Sequence, residues 1–251
     1  MSTFLSSYKI ELYKLTLKKK YIVFAVFGIL FCLFRVGAMW LVSLLSQGEL
    51  ALRLSNLALE MLPFFAEVFI PLIIFMAVTD AFASEIQENT LKAMLVRPVT
   101  RFKLMLSKAL ACFTVGAVIF MAIFLASTIL ELIFGSPVKL GEYVLKNIGA
   151  YAIDLVPVFV LVLMAILINM TCKTPTLAMF VCFLTYAVMK YCNFFVPSVN
   201  NILFTSYNQW HKLWIGSALP LHALSAKIFL LIGSALVFFT TAYHLFDKND
   251  V

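Results

Sequence analysis

Three runs without a charged residue, Ala109 to Leu130, Leu155 to Cys172 and Ile228 to Phe246, dominate the sequence. Each approaches the roughly 20 residues that a helix needs to cross a bilayer core. Hydrocarbon offers no partner to backbone N–H and C=O groups, so such runs fold as helices that satisfy those groups internally. The rest of the chain agrees: of 251 residues 63% are hydrophobic and 12% charged, with a mean hydropathy of +1.03, where about a quarter charged is normal for a soluble domain. An all-α integral membrane protein is expected. The net charge of +7 does not point to nucleic acid, because the lysines cluster beside apolar runs, where anionic lipid headgroups attract them. Cys32, Cys112, Cys172, Cys182 and Cys192 form no C-x-x-C pair and lie in or at the ends of apolar runs; they read as small hydrophobes. A basic stretch precedes the first apolar run and no small-residue cleavage site follows it early, so the first span is expected to be retained.

In chain order, residues 1–20 place Phe4, Tyr8, Leu12 and Leu15 on one helical stripe with five lysines mostly away from it. That pattern predicts an amphipathic helix at the membrane surface, or else a plain basic tail that fixes orientation. Spans are predicted over 21–46, 61–83, 101–130, 147–172, 176–195 and 223–246, with Pro63 and Pro71 as candidate kinks in the second. A separate segment is expected around 135–146. Between the last two spans, residues 197–222 carry Tyr207, Trp210 and Trp214 at helical spacing, which suits a short helical piece at headgroup level on the extracellular side. Six spans place both chain ends on one side. That side collects Lys9, Lys14, Lys18, Lys19, Lys20, Lys92, Arg97, Arg101, Lys103, Lys108, Lys173 and Lys248, against Arg53, Lys139, Lys146, Lys190, Lys212 and Lys227 at most on the other. The positive-inside bias therefore predicts both ends in the cytoplasm and a multi-pass protein of the cell membrane.

The stretch from Asp80 to Lys108 is the one long polar island between apolar runs. Ser84 and Gln87 have capping-box spacing, Glu88 and Lys92 are four apart in the favourable order, and Pro98 forbids continuation, which predicts a short helix over 84–96. Too short and too charged to span, it is expected to lie along the membrane surface. Glu85, Glu88, Asn89, Thr90, Leu91, Leu95, Pro98, Val99, Thr100, Arg101 and Lys108 resemble the cytoplasmic loop of the type-2 ABC exporter permeases. In that family a coupling helix in this loop docks into a cleft of the partner ATPase. Asn89 and Thr100 stand where the family usually has Gly and Ser, substitutions that keep backbone tolerance and capping. The resemblance implies an amphipathic elbow helix at residues 1–20 and an ATPase-coupling role for Glu85, Glu88, Asn89, Thr90, Leu91, Leu95, Pro98 and Arg101. It also implies two cytoplasmic ABC ATPase subunits as partners and a second permease copy or paralogue. Mg-ATP would be the partner's ligand, with no cofactor in this chain.

The sequence carries no G-x-x-x-x-G-K-[ST] phosphate loop, no H-E-x-x-H and no G-x-S-x-G, so neither an intrinsic ATPase nor an enzyme site is expected. His211, His222 and His244 are scattered without carboxylate or thiolate at ligand spacing, and no metal site is expected. An ion-gradient transporter and a non-transporting scaffold or sensor are the other function classes; neither internal repeats nor paired broken helices favour the former. Four ionisable residues fall inside predicted spans. At 1.5 Å per residue, Arg35 lies about 21 Å from an inner boundary near Tyr21 and Lys190 about the same from one near Thr176. Glu67 and Asp154 lie about 9 and 10 Å from the outer boundary. One layer of two cations and two anions is therefore expected, paired across spans one, two, four and five, either as structural ion pairs or as an outer gate. Nothing in the sequence reads out a substrate; the small size favours, by analogy, an amphipathic drug, antimicrobial peptide or lipid.

Overall fold

A computed structural model describes residues 2–45, 56–88, 100–134, 140–195, 203–215 and 221–248. No strand occurs among them. Helix α1 (Ser2–Thr16) is followed across a two-residue turn by α2 (Lys19–Leu45). The second span is composite: α3 (Leu57–Phe64), a π-helical turn (Phe65–Phe69), α4 (Ile70–Ala81) and, after a break at Phe82, the short α5 (Ala83–Gln87). The remaining elements are α6 (Arg101–Phe134), α7 (Leu140–Thr171), α8 (Pro175–Phe195), a 3₁₀ turn (Phe204–Tyr207), α9 (His211–Ile215) and α10 (Leu221–Lys248). Six of these stretches are long and apolar enough to cross a bilayer. We call the end that holds α1, α5 and the last turn of α10 basal, and the opposite end distal.

Span two, α6 and α7 form the centre, and α2, α8 and α10 flank it with most of their surface outward. In lipid, helices associate by close van der Waals packing, and small residues permit the approach. A Cβ on Gly28 would meet Ile123 at 3.1 Å and one on Gly116 would meet Ile74 at 3.2 Å, so α2 and α4 both press against α6. Helix α1 also packs along α6: Leu15 is buried, Tyr8 and Leu12 are half-buried, and the Tyr8 hydroxyl shares a 2.8 Å hydrogen bond with Thr114 Oγ1. Leu5, Ile10, Tyr13 and Leu17 remain exposed on its other side.

Several predicted boundaries move, each for a local reason. Span three does not stop at Leu130, because Glu131, 1% exposed, accepts the Asn56 backbone N–H at 2.8 Å and so enters the protein interior. That bond holds Asn56 in a left-handed conformation (φ 69°) at the head of α3, which starts four residues before the predicted Met61. Helix α7 starts at Leu140, absorbing part of the separate segment expected over 135–146. Ser84 is not an N-cap: α5 starts at Ala83, its N-terminal flank is Phe82, and no side chain caps it. Most of the predicted 84–96 helix, including Asn89, Thr90, Leu91 and Leu95, lies outside the described residues, as does Pro98.

Pro63 lies inside α3, and Pro71 stands in the first turn of α4. Pro71 has no N–H to give the carbonyl four residues back, which belongs to Glu67. The Ile70 N–H instead bonds Phe65 O in the π pattern, and the Tyr186 hydroxyl from α8 donates to Glu67 O at 2.7 Å. A side chain thus replaces the missing backbone donor, and the extra residue of the π turn directs Glu67 toward α8.

Candidate functional site

Polar side chains gather at the two ends of the bundle. At the basal end Lys108, fully buried on α6, donates to Glu11 Oε2 at 2.9 Å, Glu85 Oε2 at 2.6 Å and Ala81 O at 3.1 Å. All three ammonium protons are thereby used. The other oxygens of the same carboxylates face Lys14, Glu11 Oε1 at 3.4 Å and Glu85 Oε1 at 3.2 Å. Glu11, Lys108, Glu85 and Lys14 thus alternate in a closed ring of zero net charge that joins α1, α5 and α6. The Phe82 ring, at the break between α4 and α5, lies 5.9 Å from the Lys108 ammonium.

Beside the ring, Asp80 receives Lys18 at 3.2 Å, Lys20 at 2.5 Å and the Tyr21 hydroxyl at 2.5 Å. The junction between α1 and α2 is fastened in this way to the end of α4. Arg101 donates to Asp247 O at 2.6 Å and faces Asp247 Oδ1 at 3.4 Å, which joins the first turn of α6 to the last of α10. Of the predicted coupling residues that are described, Glu85 and Arg101 therefore spend their charge on this chain. Glu88, at the end of α5, is exposed.

At the distal end one of the expected pairings between the four predicted intramembrane charges forms. Lys190 and Glu67 do pair, and Gln209 Nε2 donates to the same Glu67 oxygen at 2.6 Å. Asp154 takes no cation from a span: it is fully buried and accepts the His211 backbone N–H at 2.8 Å, with His211 Nδ1 at 2.7 Å. Arg35 is 3.9 Å from Glu60, both side chains more than 40% exposed, because α3 starts early enough to bring Glu60 beside it. The expected pairing of Arg35 and Lys190 with Glu67 and Asp154 thus reduces to one pair.

Two of the predicted surface aromatics are also relocated. Within residues 203–215, here the distal segment, Tyr207 and Trp210 are buried and Trp214 is exposed, its ring 6.0 Å from that of Trp210. Burial pushes the Tyr207 phenol above its usual range. The segment is anchored by Asn208 Nδ2 donating to the Tyr186 hydroxyl at 2.8 Å, by Gln209 and by His211.

Glu11, Asp80, Tyr186, Asn208, Gln209 and His211 were not among the expected site residues. Glu11 had a visible signal: with Tyr8, Leu12 and Leu15 it shares the apolar stripe of α1, where a lone acid implies a buried cation partner. His211 had none, since its partner is 57 residues away in sequence.

Six apolar spans with ionic clusters at their two ends define a multi-pass membrane protein. Its family follows from the sequence as a whole: residues 8–190, well over half of the chain, match the model of the ABC-2 family transporter proteins, and the chain belongs to that family. It is thus a membrane permease of an ABC transporter, a transport component of a kind that typically has no ATPase site of its own and works with an ABC ATPase. No curated protein matches the chain in sequence.

Proposed function

We propose that this chain is the permease subunit of an ABC exporter, moving an amphipathic or hydrophobic molecule such as a drug, an antimicrobial peptide or a lipid outward. Two cytoplasmic ATPase subunits bind and hydrolyse Mg-ATP, and a second permease copy or a paralogue completes the pathway. The basal end is then cytoplasmic and the distal end extracellular, in line with the positive-inside count. The observation that carries this reading is the Glu11–Lys108–Glu85–Lys14 ring. It ties α5, which leads into the loop with the coupling-helix resemblance, to both α1 and the longest span. Force applied by an ATPase to Glu88 and to residues 89–99 reaches α1 and α6 through this ring.

A cleft of about 590 Å³ between α4 and α8 suits the substrate class. Its walls are apolar, with Phe75, Met76, Met179, Phe180 and Phe183, and Lys20 and Asp80 stand at its basal mouth. On the distal side the Glu67, Lys190 and Gln209 contacts join span two, α8 and the distal segment, and act as the outer closure that opens when those elements separate. The test is co-purification with an ABC ATPase followed by ATP-driven uptake of labelled lipophilic dyes and peptide antibiotics into sealed inverted vesicles. Uptake that needs ATP and both subunits supports the exporter; uptake driven by an ion gradient without ATP rejects it.

A further inference from the structure

Two hollows, one under residues 203–215 and the other running from Trp210 down to Phe102 in the first turn of α6, differ sharply in chemistry. The first, about 350 Å³, is polar and includes Glu67, Gln209, Lys212 and Lys227. Glu67 is already matched by Lys190 and Gln209. Among the described residues, neither Lys212 nor Lys227 has a carboxylate within 4.0 Å, so this hollow carries uncompensated positive charge. Lys227 is held in place over the Tyr207 ring, 5.4 Å from its centre, an arrangement that fixes an ammonium without neutralising it.

The second hollow is a groove of about 720 Å³ between α6, α7 and α10, with almost entirely apolar walls that include Phe113, Phe159, Ile228, Leu231, Ala235 and Phe239. From Ile228 to Phe239 the α10 wall runs about 16 Å, close to half of a ~30 Å bilayer core. The two hollows meet along neighbouring residues: Gln209 and Lys227 line the polar one, and Trp210 and Ile228 line the groove. Trp210 is buried at this junction with its indole N–H unpartnered among the described residues, although a buried tryptophan ordinarily finds an acceptor.

A cationic chamber beside an apolar groove long enough for an acyl chain, with Trp210 between them, complements one kind of molecule. We infer that this face binds an anionic phospholipid, its phosphate-bearing headgroup against Lys212 and Lys227, its ester region beside Trp210 and one acyl chain along α10. This site shares no residue with the α4–α8 cleft and exists whether or not the chain works as an exporter.

The experiment uses the full-length protein in mild detergent and native mass spectrometry. Phosphatidylglycerol and phosphatidylcholine with identical palmitoyl chains compete for the protein, with soluble glycerol phosphate as a third arm. Retention of phosphatidylglycerol should exceed that of phosphatidylcholine at least fivefold, the size expected from a single lysine near an anionic headgroup. Lys212→Gln with Lys227→Gln should bring the ratio to about one, and Lys212→Gln alone, at an exposed residue with no ion pair among the described residues, should lower it while leaving thermal stability unchanged. Ala235→Phe, which fills the groove, should lower retention of both lipids. If that variant does not fold, a diazirine placed mid-chain on phosphatidylglycerol provides the second readout and should crosslink to residues 228–239. An equal ratio in the wild type, a ratio unmoved in the double lysine variant, or displacement of the lipid by glycerol phosphate overturns the inference. The last outcome would indicate a site for a free anion, and a preference for phosphatidylcholine would indicate that Glu67 reads a cationic headgroup.

Discussion

An ammonium group has three N–H donors, and out of reach of water each must find an acceptor. Lys108 finds Glu11, Glu85 and the Ala81 carbonyl, and the two carboxylates share Lys14 as a second cation. Breaking a buried ion pair from one side typically costs about 3–5 kcal/mol, because the remaining charge is stranded. Lys108→Met should therefore lower stability by that order in a detergent melt. Combining it with Glu11→Gln restores neutrality, so the double variant should be destabilised by less than the sum of the single ones, with a coupling of about 1–3 kcal/mol. Additive effects would mean that the ring does not act as a unit. The same geometry separates two residues that the sequence treats alike. Glu85→Lys sets a third ammonium against Lys108 and Lys14, and it should reduce the yield of folded protein. Glu88 is exposed, so Glu88→Lys should fold normally and lose only association with the ATPase, measured by co-purification. Normal folding of both variants would show that Glu85 is not held as described.

Span two depends on a repair within its own helix. Pro71 leaves the Glu67 carbonyl without a backbone donor, and the Tyr186 hydroxyl supplies one from α8. Tyr186→Phe strands that carbonyl and should cost about 1–3 kcal/mol. In a Pro71→Ala background the backbone regains an N–H, the helix can close without help from α8, and the cost of Tyr186→Phe should fall by at least about 0.5 kcal/mol. An unchanged cost would mean that the hydroxyl matters only through Asn208, its other partner at 2.8 Å. The six spans were legible in the sequence because length and hydropathy are local quantities, and so was the need for partners at Glu67 and Lys190. Which partners they take was not. Asp154 meets His211 because the segment over 203–215 folds under the distal rim, and Lys108 meets Glu11 across 97 residues of sequence; no periodicity encodes either encounter. The end of span three was misplaced for a related reason, since Glu131 reads as a boundary charge until the Asn56 N–H is seen to claim it.

Over the whole molecule, orientation rests on charge: the predicted topology sets twelve Lys and Arg on one side of the membrane and six on the other, with Arg35 inside a span. With the basal loops in the cytoplasm, each exposed lysine there would be drawn toward anionic headgroups by about 1 kcal/mol, which is the physical basis of the predicted orientation. Thiol labelling reads the orientation directly, and exposure decides where the thiols belong. Cys32, Cys112 and Cys182 are buried, Cys172 is half-buried and Cys192 is exposed, so Cys192→Ser gives a quiet background. Ser206, within the distal segment, has its hydroxyl shielded from solvent, and a reagent of any size would be hindered there. Lys212 and Thr174 are both exposed, the first on the distal segment and the second in the short basal turn between α7 and α8. In intact cells Lys212→Cys should react with a membrane-impermeant maleimide, whereas Thr174→Cys should react only after permeabilisation, and tags at both chain ends should be protected from added protease. Labelling of Thr174→Cys alone in intact cells would invert the protein, place the polar island over 80–108 outside, and remove the cytoplasmic ATPase from reach of α5. The exporter mechanism would then fall with the orientation, while the Lys108 ring and the Tyr186 repair, which depend only on packing within the chain, would stand.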